Sequence, residues 1–175
     1  MTNLPVADST LSDFELVELE LDAMDSLGDT VADFEGHRIN VFGGIPGELV
    51  IARVYRYKRR KKNIVSAMVV KVLRSSEYRI QPPCPYYGPC SGCQWQHISY
   101  EHQLSLKRRS IANQLSLYPA LAKVTIAQTL PDLAKFHYRN HARFTVRFGG
   151  QLGFSNRITR KFIRIDHCML MNNRI

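Results

Sequence analysis

LVIARVYRYKRRKKNIVSAMVVKVL, residues 49–73, holds two β-branched-rich runs with a block of charge between them. Leu49–Tyr57 and Ile64–Leu73 read as two long strands, and KRRKKN joins them as the tip of a hairpin. Upstream, Val17, Leu19, Leu21 and Ala23 alternate with Glu18, Glu20, Asp22 and Met24, the period-2 pattern of a half-buried strand. Phe14 and Leu16 sit on the other parity, so a bulge is expected near Leu16–Val17. Ser26-Leu27-Gly28-Asp29 turns into Thr30–Phe34, and Glu35-Gly36-His37 turns into Arg38–Phe42. Gly43-Gly44-Ile45-Pro46-Gly47-Glu48 is a tight connection rich in turn formers. Five strands at this spacing within residues 12–74 predict a small closed barrel of the OB or SH3-like kind, and residues 1–11 read as a flexible tail.

Residues 75–83 read as a junction, with Pro82-Pro83 ending any strand before them. A cysteine-rich loop, Cys84 to Cys93, comes next. Ser99–Tyr118 then reads as a helix with Leu104, Ile111, Leu115 and Tyr118 near one face, stopped by Pro119. In Tyr138–Phe148, Asn140, Ala142, Phe144, Val146 and Phe148 alternate with Arg139, His141, Arg143, Thr145 and Arg147, which predicts a strand. Gly149-Gly150 turns the chain, and Gln151–Ser155 and Lys161–Ile165 look like further short strands. The expected class is mainly β with α: an OB-like barrel over 12–74, then a small α+β domain over 84–175. Domains this short bury little of their surface and often need a covalent or metal staple.

Charge is divided unevenly along the chain. Residues 1–35 hold ten acidic and no basic side chains, whereas residues 36–175 hold all 24 Lys and Arg and only five acidic residues. That imbalance points to a polyanionic partner, most simply nucleic acid. Arg53, Arg56, Lys58, Arg59, Arg60, Lys61 and Lys62 crowd the predicted hairpin, with Tyr55 and Tyr57 on its approach. Such a run serves either as a solvated edge or as a phosphate-binding surface with tyrosine for base stacking. Arg139, Arg143 and Arg147 fall on one face of the predicted strand, with neighbours two apart spaced by about 7 Å. The planar arginine fork suits phosphate, and the alternative is a salt-bridge ladder. Acidic partners for it are scarce, since only Glu101, Asp132 and Asp166 follow Glu77. No run approaches the roughly 18 apolar residues of a membrane span, and no secretory signal is recognisable, so a cytoplasmic chain is expected.

Four cysteines stand at C-x5-C-x2-C with a remote fourth: Cys84, Cys90, Cys93 and Cys168. In a cytoplasmic setting this pattern suggests a shared metal more than disulfides. Four thiolates suit either a tetrahedral zinc or a [4Fe–4S] cluster, and spacing leaves both open. His97, four residues after Cys93, could replace one thiolate; the remaining histidines form no ligand-like spacing.

The order PGE, Ser75, Arg79-Ile80, Pro83-Cys84, C-S-G-C-Q-W-Q-H, Tyr100, Gln103, Lys107, Tyr138-Arg139-Asn140 and late Cys168 resembles the N-terminal part of the iron–sulfur-containing RNA 5-methyluridine methyltransferases. The resemblance runs from about Leu11 onward and implies a TRAM-type RNA-binding barrel followed by a central domain with a [4Fe–4S] cluster. It implies Cys84, Cys90, Cys93 and Cys168 as cluster ligands and ribosomal RNA as partner. It also implies a C-terminal S-adenosylmethionine-dependent methyltransferase domain, which residues 1–175 do not contain. The barrel departs from the family by reading Arg-Ile-Asn-Val-Phe-Gly-Gly where a proline-containing loop is common.

Methylation at uracil C5 needs a thiolate that attacks C6. All four cysteines are taken by the metal set, and no glycine-rich strand–turn–helix for the cofactor is present, so no catalytic or cofactor-binding residue is assigned. The expectation is a part of a longer enzyme, or a chain with a separate catalytic partner. The competing expectation is a stand-alone RNA-binding module with a structural zinc or iron–sulfur site. Radical-SAM methylthiotransferases also carry TRAM domains, but their C-x3-C-x2-C is absent here.

Overall fold

The computed structural model of the chain describes residues 15–59, 61–147 and 149–174. The predicted tail, Arg60 and Phe148 lie outside the described residues. Six strands form one sheet: β1 (Leu16–Glu20), β2 (Ala23–Met24), β3 (Thr30–Phe34), β4 (His37–Phe42), β5 (Leu49–Arg59) and β6 (Lys62–Arg74). Their order is β1-β5-β6-β4-β3-β2, antiparallel throughout except for the parallel β4–β6 pair.

β1 and β2 lie at opposite ends of that order, yet only Leu21 and Asp22 separate them in the chain. Two residues span about 7 Å, so the sheet has to curl until its edges nearly meet. The backbone records the crossing: Leu21 N–H donates to Glu48 O (2.9 Å) beside β5, and Asp22 N–H donates to Val31 O (3.0 Å) in β3. The alternating run at 17–24 is therefore split between two edges, not one continuous strand. The expected bulge at Leu16–Val17 is absent, because β1 pairs with β5 in unbroken register; the irregularities fall between Leu49 and Val50 and between Ile51 and Ala52, where β5 bends against β6. The result is a curled OB-like half-barrel.

Its core alternates as the pleat demands. Leu19, Leu21, Ala32, Ile39, Val41, Val50, Ala52 and Ala67 are all buried in one cluster, backed by Val17, Phe34, Val65, Val69 and Val72. Burying each larger side chain contributes roughly 1.5–3 kcal/mol. One of the expected turns is a tight two-residue hairpin. Glu35 and Gly36 both take positive φ (51° and 74°) between the paired Phe34 and His37, the geometry that follows strand twist. β5 and β6 run through the basic block to the Arg59–Lys62 pair, so most of those charges stand on strands and not in a loop.

The helix α1 spans Tyr100–Ser116. Its buried residue is Leu106, while Ile111 and Tyr118 are exposed, so the face expected from Leu104, Ile111, Leu115 and Tyr118 is not the packed one. Leu106 joins Ile45 and Ile98, with Met24 and Trp95 against them, in a second core under the half-barrel. A three-stranded antiparallel sheet closes the chain: β7 (Thr145–Arg147), β8 (Gln151–Ser155) and β9 (Phe162–Arg164). The strand expected over 138–148 shrinks to β7. β8 offers β7 partners from Gln151 to Gly153, and among the described residues no strand pairs with 140–144. Among the described residues no helix is long and apolar enough to cross a membrane.

Candidate metal centre and nucleic-acid interface

The Cys84–Cys93 loop is shaped by its own backbone. Tyr87 N–H donates to Cys84 O (3.1 Å) and Cys90 N–H to Tyr86 O (2.8 Å). The β8–β9 turn seizes this loop from outside. Asn156 Nδ2 donates to Pro89 O (2.8 Å), and Arg157 N–H donates to Ser91 Oγ (2.8 Å), on either side of Cys90. After β9, Asp166 N–H donates to the Tyr86 hydroxyl (3.2 Å), two residues before Cys168. These contacts hold the segment leading to Cys168 against the loop that carries the other three cysteines.

All four cysteines are free thiols and half-buried. Burial pushes the Cys90 and Cys93 thiols up, and their neighbours push them further: Cys84 and Cys168 act on Cys90, and Cys90, Cys168 and Cys84 act on Cys93. A backbone hydrogen bond from Gly92 to Cys90 and the Gln96 side chain at Cys93 work the other way. The two raised thiols, Cys90 and Cys93, with the cysteines that act on them, form a donor set that a cationic centre would relieve. Among the described residues no three or more His, Cys, Asp or Glu side chains close up tightly enough to hold a single metal ion. His97 is not available to replace one of the thiolates. Its Nε2 bonds Gly44 O (3.0 Å), its Nδ1 meets the Tyr87 hydroxyl, and its ring is buried. Burial lowers its pKa to about 4.

The loop region is also tied to the half-barrel. Glu48, wholly buried, accepts from Ile45 N–H (2.9 Å), Ser76 N–H (3.1 Å) and Arg79 Nε and Nη2 (2.6 Å each). Trp95 Nε1 donates to Gly28 O (2.7 Å), and Gly28, at φ +88°, leaves room for the indole where a Cβ would press on it at 3.3 Å. Arg157 pairs with buried Asp29 and lies over the Phe42 ring, 5.0 Å from its centroid. Sequence reading missed Glu48, Arg79, Asp29 and Arg157. The one signal was a carboxylate inside a Gly/Pro turn, with no nearby cation to explain it.

The basic residues fall into two groups. Register places Arg53, Tyr55 and Tyr57 on one face of β5, and Arg56 and Lys58 on the other. Lys58, Lys61 and Lys62 are exposed. Arg56 is held by Glu15 and Glu35 and lies over the Phe34 ring. Arg38 is likewise held by Asp22 and Asp33, and Arg74 by Glu20, so the acidic N-terminal stretch neutralises part of the sheet's charge. The expected straight stripe of Arg139, Arg143 and Arg147 is not formed. Only Arg147 is in a strand, over the Phe162 ring (5.3 Å), while Arg139 bridges to Met171 and Arg143 lies in an irregular segment. All three are exposed.

A curled OB-like sheet joined to a three-cysteine loop, with a fourth cysteine after β9, defines the architecture. Comparison with known proteins then supplies the family. The chain is 35% identical over 130 residues to an uncharacterized RNA methyltransferase of Aquifex aeolicus, covering 74% of this chain and 30% of that protein. It is 32% identical over 154 residues to the 23S rRNA (uracil(1939)-C(5))-methyltransferase RlmD of Legionella pneumophila, covering 85% and 34%. An uncharacterized RNA methyltransferase of Gloeobacter violaceus aligns with all of the chain at 27% identity, over 39% of its own length. No family model matches the chain. The chain belongs to this RNA methyltransferase family and spans about a third of the length of the curated relatives it matches.

Proposed function

We propose that the chain is the RNA-engaging, cluster-bearing part of an S-adenosylmethionine-dependent 23S rRNA (uracil-5-)-methyltransferase of the cytoplasm. In this reading residues 12–74 are a TRAM-type barrel, and 84–175 bind a [4Fe–4S] cluster through Cys84, Cys90, Cys93 and Cys168. The observation that carries it is the convergence of four free thiols, three from one loop and one from 75 residues on, in a relative of RNA methyltransferases. Three closely spaced cysteines with a remote fourth, in a chain that resembles iron–sulfur-containing methyltransferases, support a cluster over zinc. When bound, the cluster would staple a region poor in regular structure. The chain's own residues orient it: Asn156 and Arg157 hold the loop, and Gln96 touches Cys93.

RNA is engaged by the exposed lysines of the β5–β6 hairpin, with Tyr55 and Tyr57 beside them. The uracil-attacking thiolate and the methyl donor site belong to the remaining two thirds of the family polypeptide, to which a flipped base would be presented. Anaerobic purification tests the metal. Brown protein with about four iron and four sulfide per chain is expected. A colourless protein with one zinc overturns the cluster and favours an RNA-binding module with a structural ion. RNA affinity should fall log-linearly with salt, with a slope of several units.

A further inference from the structure

An open groove of about 780 Å³ lies between the first turns of α1 and residues 132–139, and its end reaches Gly92 and Cys93. Its volume is in the range of about 300–1,000 Å³ typical of ligand clefts. Trp95 and Tyr138 are among its aromatic walls, and Lys107 and Arg139 are among its cations. Lys135, also lining it, is already engaged: it pairs with Glu101 (3.5 Å) and lies over the Tyr100 ring (4.8 Å). Among the described residues neither Lys107 nor Arg139 has an acidic partner, and both are exposed. Tyr138 is 52% exposed and meets no other aromatic ring among the described residues.

We propose that this groove is a second RNA subsite, separate from the β5–β6 hairpin, which takes single-stranded nucleotides beside the cysteine loop. An unpartnered tyrosine flanked by two free cations is the minimal arrangement for single-stranded nucleic acid: the ring stacks a base and the cations meet the phosphates on either side. The amide side chain of Gln81 on the same wall can bond base edges. Backbone pairing fixes the geometry. Arg139 N–H donates to Leu170 O (2.8 Å) and Arg139 O accepts from Asn172 N–H (2.7 Å), so this cation is anchored to the segment that follows Cys168. Two of the predicted site residues, Arg139 and Cys93, thus meet at one groove although the arginine stripe does not form.

This inference rests on RNA being the partner, and the experiment separates the two. The metal-loaded chain is titrated with a photoreactive, 4-thiouridine-containing single strand of about ten nucleotides. Tyr138→Ala, Lys107→Ala and a hairpin double variant, Lys58→Ala with Lys62→Ala, are compared, with thermal melts as a folding control. The expected result is crosslinking to residues 95–139, an affinity about tenfold lower for Tyr138→Ala, and a salt slope smaller by about 0.7 for Lys107→Ala. Full affinity in both groove variants, with a loss confined to the hairpin variant, overturns the groove while leaving the RNA reading intact. No RNA binding by the native chain overturns both. Loss of the crosslink when the C-terminal two thirds of the Legionella relative is added, with RNA still bound, also overturns it, because the groove would then be a seat for protein.

Discussion

Glu48 and Arg79 are 31 residues apart in the chain and form the most buried ion pair among the described residues, with Glu48 fully enclosed and Arg79 largely so. Removing one member of such a pair leaves a stranded charge and costs about 3–5 kcal/mol. Arg79→Ala should therefore lower the denaturation midpoint far more than Arg38→Ala, whose partners are half-exposed. His97 gives a second prediction at this scale. Burial depresses its pKa to about 4 against an ordinary 6.5, with Arg79 lowering it further and Glu48 opposing. The unfolded chain then takes up the proton first, so stability is full above about pH 6.5 and is lost as pH falls toward 4, by about 3 kcal/mol. His97→Gln should flatten that slope in urea titrations at stepped pH. The cysteine loop is legible as a unit because three of the four cysteines stand close together in sequence. Glu48, Asp29 and Arg157 were not, since Arg157 meets Asp29 from 128 residues away and periodicity carries no trace of such a partner.

Among elements, strands with a partner along their whole length were read well. β3, β8 and the β5–β6 hairpin lie where alternation and turn residues place them. Tyr138–Phe148 alternates as cleanly as any of these, yet most of it is not a strand, because alternation describes which face a strand would bury and not whether another strand is present to pair with it. The helix face was misjudged for a similar reason. Leu106 docks on Ile45 and Ile98 from the half-barrel and its connection, and that contact, more than the helix's own apolar stripe, decides what is buried. The β5–β6 hairpin allows a direct test. Lys58→Ala, Lys61→Ala and Lys62→Ala together should reduce the salt slope of single-stranded RNA binding by about 2, with stability changed by no more than about 0.5 kcal/mol. Arg56→Ala should barely alter that slope, since Glu15 and Glu35 already occupy the guanidinium.

For the molecule as a whole, the two cores predict unequal responses to metal loss. The larger one draws only on β1–β6 and Leu21, whereas the smaller includes Ile98 and Leu106 from beyond the cysteine loop. Cys90→Ser should abolish metal binding and strip hydrogen-exchange protection from 84–98 and 151–171, while amides of β4–β6 stay protected. Equal loss of protection in both regions would show that the half-barrel depends on the centre as well.

Asn156 and Arg157 hold the cysteine loop without touching sulfur, and Asp166 does the same for the approach to Cys168. These hydrogen bonds guide the loop but do not replace the centre proposed to bind there. A polypeptide stripped of inorganic cargo would lose order around the thiols and regain it as the cargo is delivered, with the half-barrel intact throughout. Reconstitution of stripped protein with ferrous iron and sulfide is accordingly expected to proceed without prior denaturation. Asn156→Ala, with every ligand intact, should slow that loading more than it weakens the finished product.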